Sequence, residues 1–416
     1  MFDRQATSAV LGLSFTQVAG WCSVLYLPAV LGRDMGRDLG LSAELVFGGV
    51  AVMYVVGALL APAIGAMIDC RGARFIMAGG SLAAALGLLT LSGADTLTAF
   101  LAAWAILGLT IAAALSSAAY PAVAQAAGTT TRRAVSLLMF ATGLAGTLSL
   151  PFVHLLGKEF GWRDSCLVLA AINLLLCVPI HLLSLRRRQS PKRTLGKAKA
   201  ADSDQPEMRG WPSIRQGQAF WPLSLALAFN IFVTSGLALH LVGLLRSLGF
   251  SDGSAIAVAS LAGPVQLAVR AVQVAISERW LATSFALIGA AALPLAMIFL
   301  LAPALSATPV GLFHTIGFVA LFGLSNGLMV VARAAVPYQV FGPLRYGAWT
   351  GRLATPQNAA TAITPLAFAA ALENGGAQAA LLLALLAGLV SLAAVAYLAL
   401  AARSIAPCQA RAVAAE

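Results

Sequence analysis

The spacing of its charges constrains this chain most. Runs without Asp, Glu, Lys or Arg extend from Arg4 to Arg33, Glu44 to Asp69, Arg74 to Asp95, Asp95 to Arg132, Arg133 to Lys158 and Asp164 to Arg186. After a polar stretch the pattern resumes from Arg215 to Arg246, then from Asp252 to Arg279 with Arg270 inside it. It continues from Arg279 to Arg333, Arg352 to Glu373 and Glu373 to Arg403. A bilayer core about 30 Å thick takes roughly 20 apolar residues per helical crossing. Each run is therefore one span, except the one ending at Arg333, which holds two, with Pro303, Ser306, Thr308, Pro309 and Gly311 supplying its turn. The reading is an all-α membrane protein of twelve transmembrane helices.

With 60% apolar and 10% charged residues, the chain lacks the polar surface of a soluble protein of 416 residues. The first run is too long for a signal-peptide core and is followed at once by further spans, so it is expected to stay in the membrane. The net charge of +11 does not point to nucleic acid, because the cations are sorted by side. With a cytoplasmic N-terminus, Arg71, Arg74, Arg132, Arg133, the cluster Arg186 to Lys199, Arg333, Arg345, Arg352 and Arg403 fall inside. Arg33, Arg37, Lys158, Arg163 and Arg246 fall outside. This positive-inside bias predicts a bacterial inner-membrane protein with both termini cytoplasmic. The five cysteines, Cys22, Cys70, Cys166, Cys177 and Cys408, have neither disulfide nor zinc spacing, and no metal or cofactor is expected.

Residues 186–217 form the one long polar segment, a cytoplasmic linker whose basic half could touch anionic lipid headgroups. It separates an N-terminal bundle, 1–185, from a C-terminal bundle, 218–416. A short repeat supports this division: Leu39-Gly40-Leu41-Ser42 follows the first span and Leu248-Gly249-Phe250-Ser251 follows the seventh, an offset that also carries Asp69 onto Glu278. Parallel six-span repeats about an axis along the membrane normal are the organisation of major facilitator proteins. The turn after span two, Gly65 to Arg74, resembles the Gly-x-x-x-Asp-Arg-x-Gly-Arg-Arg loop of that superfamily. Gly65, Asp69, Gly72 and Arg74 match it, while Cys70 and Ala73 stand where basic residues are usual. The resemblance implies two six-helix bundles related by a pseudo-two-fold axis, and a loop that latches the halves together in one conformation.

Ionisable groups at membrane depth are costly and mark a solute pathway. Arg270 lies inside span eight, with Gln266 four residues before it and Gln273 three after, on one helical face. Arginine presents a fixed fork of donors suited to a carboxylate or similar oxyanion, and the glutamines could hydrogen-bond the remainder of such a ligand. The alternative is that Arg270 snorkels to the interface. An arginine in span eight is similar to the oxalate/formate and monocarboxylate branch of the superfamily, although the accompanying aspartate of monocarboxylate carriers is missing. Gln17, Trp21 and Tyr26 in span one, Asn230 in span seven, Asn326 in line with Arg333 in span ten, and Gln357 in span eleven are further candidates. Each could equally be interhelical glue. His154, His181, His240 and His314 suit packing better than a proton relay.

No Asp or Glu falls in the middle of any span. The expectation is therefore a monomeric secondary transporter moving a small, anionic solute by alternating access, with a coupling proton or counter-anion. The alternative is proton-coupled efflux of drugs or toxic metalloids, for which Cys166 and Cys177 on one face of span six are the one sequence hint. An enzyme is not expected, because nucleophiles, bases and metal ligands do not converge.

Overall fold

In the computed structural model the described residues are 4–185, 216–276, 280–306 and 308–403. Most of the basic connector, Glu278 and Cys408 lie outside them. The first part of the chain forms α1 (Arg4–Trp21), α2 (Leu27–Leu39), α3 (Ala43–Arg71), α4 (Ala73–Ser92), α5 (Leu97–Ala113), α6 (Ser116–Ala127), α7 (Thr131–Gly143), α8 (Ala145–Ile172) and α9 (Val178–Ser184). The later part forms α10 (Gln216–Ser247), α11 (Asp252–Ile276), α12 (Ala282–Leu305), α13 (Leu312–Phe341) and α14 (Tyr346–Arg403). Helix satisfies every backbone donor and acceptor within the segment, which is what a medium without water demands.

Ten helical stretches among the described residues are long and apolar enough to cross a membrane. The stretches Arg133–Ser184 and Tyr346–Ala401, at 52 and 56 residues, far exceed one bilayer. Each is broken by a single glycine in a conformation no helix contains, Gly161 (φ 76°, ψ 176°) and Gly376 (φ 63°, ψ −158°). The chain divides into two compact units, Met1–Ser203 with Pro343–Ala362, and Asp204–Gly342 with Ile363–Glu416. The core of the first is built around Phe100 and Trp104, packed edge to face. The second centres on Phe318, Phe322 and Phe368.

The short repeat read from the sequence is a repeat of backbone geometry. Gly40 and Gly249 both take positive φ, 64° and 92°, ending α2 and α10. Leu41 N–H donates to the Gly36 carbonyl and Phe250 N–H to the Leu245 carbonyl, each at the same spacing, as in a Schellman ending. The serine two residues after each glycine caps the next helix, Ser42 accepting from Leu45 N–H and Ser251 from Ser254 N–H, both at 3.3 Å.

A proline inside a helix lacks the N–H of one backbone bond, and the helices absorb it in two ways. Pro62, Pro121, Pro151 and Pro264 sit within continuous helices. Pro28 and Pro179 are different, because each follows a π-helical turn, Cys22–Tyr26 and Asn173–Cys177. A widened turn accommodates the missing N–H and the ring that would strike the preceding carbonyl. The two turns are joined, since Asn173 Nδ2 donates to Ser23 Oγ at 2.8 Å.

At one end of the first unit, Arg163 gathers three elements. Its Nε donates to Asp38, its Nη2 to Asp95 and its Nη1 to the Ser92 carbonyl, and its guanidinium lies 4.5 Å over the Trp162 ring. At the other end α3 turns directly into α4 through Gly72, whose φ of 83° and ψ of 161° are closed to residues with a Cβ. Gly72→Ala is expected to cost about 1–3 kcal/mol, read as a lowered melting temperature in detergent. Gly79→Ala, at a helical site with open space around the missing Cβ, should leave it unchanged or slightly raised.

Candidate functional site

Two polar assemblies stand out, one in each unit. In the first, α3 meets the start of α14, which belongs to the same unit up to Ala362. Asp69 carries its carboxylate to a helix N-terminus: Gly347 N–H donates to Oδ1 at 2.9 Å and Ala348 N–H to Oδ2 at 2.7 Å. The first N–H groups of a helix have no partner within it, and the macrodipole favours an anion there. The residue leading into α14, Arg345, takes φ 57°, the one non-glycine with positive φ among the described residues. The approach depends on small residues. A Cβ on Gly65 would strike the Gly347 carbonyl oxygen, and one on Gly351 the Ala61 carbonyl. The antiparallel seam continues where Thr355 donates to the Ala58 carbonyl at 2.8 Å. Of the loop residues named from sequence, Gly65 makes this contact possible, Asp69 makes it polar and Gly72 makes the turn. Arg74 instead lies over the Phe75 ring at 5.3 Å.

In the second unit the polar stripe of α11 turns inward. Arg270 is 4% exposed and Gln273 3%, while Gln266 is partly buried. Helices α11 and α13 lie side by side and parallel. A Cβ on Gly323 would meet Val265 and the Ala262 carbonyl, and one on Gly327 would meet Val269 and the Gln266 carbonyl. Both pairs keep one register, so Arg333 stands level with positions 272 to 275, about 3–8 Å of helix rise from Arg270. Arg270 flanks the seam in one rotational sense along α11, and Arg333 and Asn326 flank it in the opposite sense along α13. On parallel helices facing each other these flanks open to the same side. Helix α10 occupies that side, since Arg333 Nη2 donates to Asn230 Oδ1 at 3.1 Å. Asn230 is fully buried. Its Nδ2 and Gln273 Oε1 are buried without a hydrogen-bond partner among the described residues.

The other candidates, Gln17, Trp21, Tyr26 and Gln357, lie in the first unit. Gln17 is buried and donates its Nε2 to the Ala114 carbonyl at 2.8 Å, mending the break between α5 and α6. Gln357 donates to the Leu353 carbonyl of its own helix. Trp21 packs on the first core, one turn before Tyr26 on the π-helical segment. Cys166 and Cys177 are buried in the first unit. His240 stacks on Phe368 and His314 packs edge-on against Phe299 and Phe313, as packing histidines should, whereas His181 is wholly buried. Arg333 was legible only as a loop cation in line with Asn326. It lies well inside α13, which runs on to Phe341. An open cavity of about 850 Å³ lies elsewhere, at the Ser251 end of the second unit, lined by residues such as Ser254, Thr308 and Gln378 and by no ionisable side chain.

The family model described as the Major Facilitator Superfamily matches residues 9–322. The chain belongs to that superfamily. It is an integral membrane transporter and not an enzyme. Among solved structures, the fold is similar to the human organic anion transporter MFSD10 (TETRAN), with TM-score 0.69, 20% identity and coverage of 94% of this chain and 99% of that one. It is also similar to the E. coli fucose:proton symporter FucP, with TM-score 0.66, 12% identity and coverage of 95% and 99%. At such identities the likeness is one of fold. A Thermoproteus tenax sequence named "Uncharacterized 38 kDa protein in 23S RNA operon" is 27% identical over 376 residues, 88% of each chain.

In this superfamily member the Asp69 contact is testable alone. Asp69→Asn keeps an acceptor but removes the charge, and should weaken the cap by about 0.3–2 kcal/mol. Faster maleimide labelling of a cysteine placed at Ala348, relative to the same cysteine beside native Asp69, is the expected result.

Proposed function

We propose that this transporter is a secondary carrier of a small anionic solute, working by alternating access, with Arg270 as the anchor for the anion. The burial of Arg270 beside Gln273 carries this reading. A guanidinium held inside the protein at membrane depth is costly, and its planar fork suits a carboxylate or oxyanion bidentately. Gln266 and Gln273 supply amides beside it. The description of the human fold neighbour as an organic anion transporter is in keeping with this chemistry.

Taking Gly161 and Gly376 as the turns between successive crossings, the ten stretches become twelve. Six precede the basic connector and six follow it, and the cation bias puts both termini in the cytoplasm. Asp69 on the α14 N-terminus is the latch of one of the alternating states, released when its two N–H bonds break. The carrier works as a monomer, with a proton or counter-anion moving alongside the solute.

Thermal stabilisation of the purified protein tests the solute class, since a bound ligand stabilises the folded state according to its occupancy. Carboxylates or inorganic oxyanions should raise the melting temperature, and Arg270→Gln should weaken that effect by about tenfold or more. Stabilisation by cationic drugs alone would overturn the anion class. For the topology, an enzyme active only in the periplasm should be silent when fused after Arg193, and activity there would reverse the orientation.

A further inference from the structure

We infer that the open cavity at the Ser251 end of the second unit binds a neutral polyol the size of a sugar ring, closing there a corner that the first unit closes with its own side chains. This stands apart from the anion reading and uses none of its residues. The two units repeat one construction at this corner. In each, a positive-φ glycine follows a helix, Gly40 after α2 and Gly249 after α10, and a second one, Gly161 or Gly376, breaks a long helical stretch. Two residues beyond that second glycine, a side chain donates to a carbonyl in the last turn of another helix. Arg163 Nη1 reaches Ser92 of α4 at 2.6 Å, and Gln378 Nε2 reaches Ala304 of α12 at 2.7 Å.

The corners differ in what fills them. In the first, Asp38, two residues before Gly40, and Asp95, three beyond the end of α4, both accept from Arg163, whose guanidinium lies over the Trp162 ring. The matching positions of the second unit are two residues before Gly249, three beyond the end of α12 and the pair after Gly376. They hold Ser247, Thr308, Ala377 and Gln378. All four line the cavity of about 850 Å³, a volume typical of small-molecule sites. Each charge is exchanged for a neutral polar group, and the indole for a methyl. The hydroxyls already have uses for their hydrogens: Ser247 Oγ donates to the Leu244 carbonyl at 2.8 Å, Ser254 Oγ to the Ser251 carbonyl at 2.9 Å and Thr308 Oγ1 to the Pro303 carbonyl at 3.4 Å. A hydroxyl so engaged offers its oxygen lone pairs, so the cavity calls for donors but not for charge. Arg246 and Asp252, next to lining residues in the sequence, pair with each other at 2.9 Å. Phe250, Pro303 and Pro309 add an apolar wall. A sugar ring meets both demands, with O–H donors around its edge and C–H groups on its face.

Thermal stabilisation by neutral sugars tests the site. The full chain, purified into lipid discs without any sugar-headed detergent, is melted across a series of glucose concentrations and a series of penta-O-methylglucose, which keeps the ring and removes its O–H donors. Glucose should raise the melting temperature saturably, and the methylated ring should not. Ala377→Trp, which places in the cavity the ring that the first unit has at Trp162, should abolish the saturable rise. Thr308→Val keeps the shape of the side chain, removes one acceptor and covers a folding failure of the larger substitution. It should raise the half-maximal glucose concentration about two- to tenfold. No rise, or one that grows without saturating as sugars excluded from any protein surface produce, overturns the site. So does a saturable rise that methylated glucose reproduces, or one that persists unchanged in both Ala377→Trp and Thr308→Val.

Discussion

Within a bilayer there is no water to accept a stray N–H, and this one fact governs the chain. The backbone must be helical, so the fold is chosen from helix packings. Apolar side chains gain nothing by leaving lipid for each other, so helices associate through close backbone approach and a few hydrogen bonds. Both devices are visible where α3 meets the start of α14: glycines at Gly65, Gly347 and Gly351 bring carbonyls into contact range, and Asp69 satisfies two N–H groups that the helix itself cannot. The same accounting explains why Gln17, so promising as a ligand group, is turned to the Ala114 carbonyl. A helix broken at Ala114 leaves a carbonyl that something must bond.

That constraint also makes the remaining polar groups informative. Arg270 and Arg333 sit inside otherwise mostly apolar helices, one on a helical face with two glutamines and the other on Asn230. A guanidinium inside a protein at membrane depth is costly, and the role proposed for Arg270 as the anchor of the solute rests on that cost.

The sequence was legible where the physics is local. Charge-free runs located the helices, Gly72 announced a turn that needs positive φ, and the Leu-Gly-x-Ser repeat became a repeated ending and cap at Gly40 and Gly249. Two kinds of feature were not legible. One is geometry set by a partner helix: that Gln17 faces Ala114, that Asp69 reaches residue 347, or that Arg333 meets Asn230 follows from register, which periodicity within one helix does not contain. The other is how a strained position is absorbed. Pro28 and Pro62 look alike in sequence, yet the first is preceded by a π-helical turn and the second sits in a continuous helix. Helix count falls between these cases, because Gly161 and Gly376 bend the chain without a long loop to mark the turn.

The membership of Pro343–Ala362 in the first unit has a consequence for biosynthesis. At roughly 5–20 residues per second, about 15–60 s separate the synthesis of α3 from that of its partner segment. During that interval the small-residue groove at Ala61 and Gly65 has no α14 to fill it, and Asp69 has no N-terminus to bond. The unit that begins the chain is therefore among the last to be completed. The ribosome delivers a half-finished bundle to the membrane, and it stays incomplete until the run from Arg352 to Glu373 arrives.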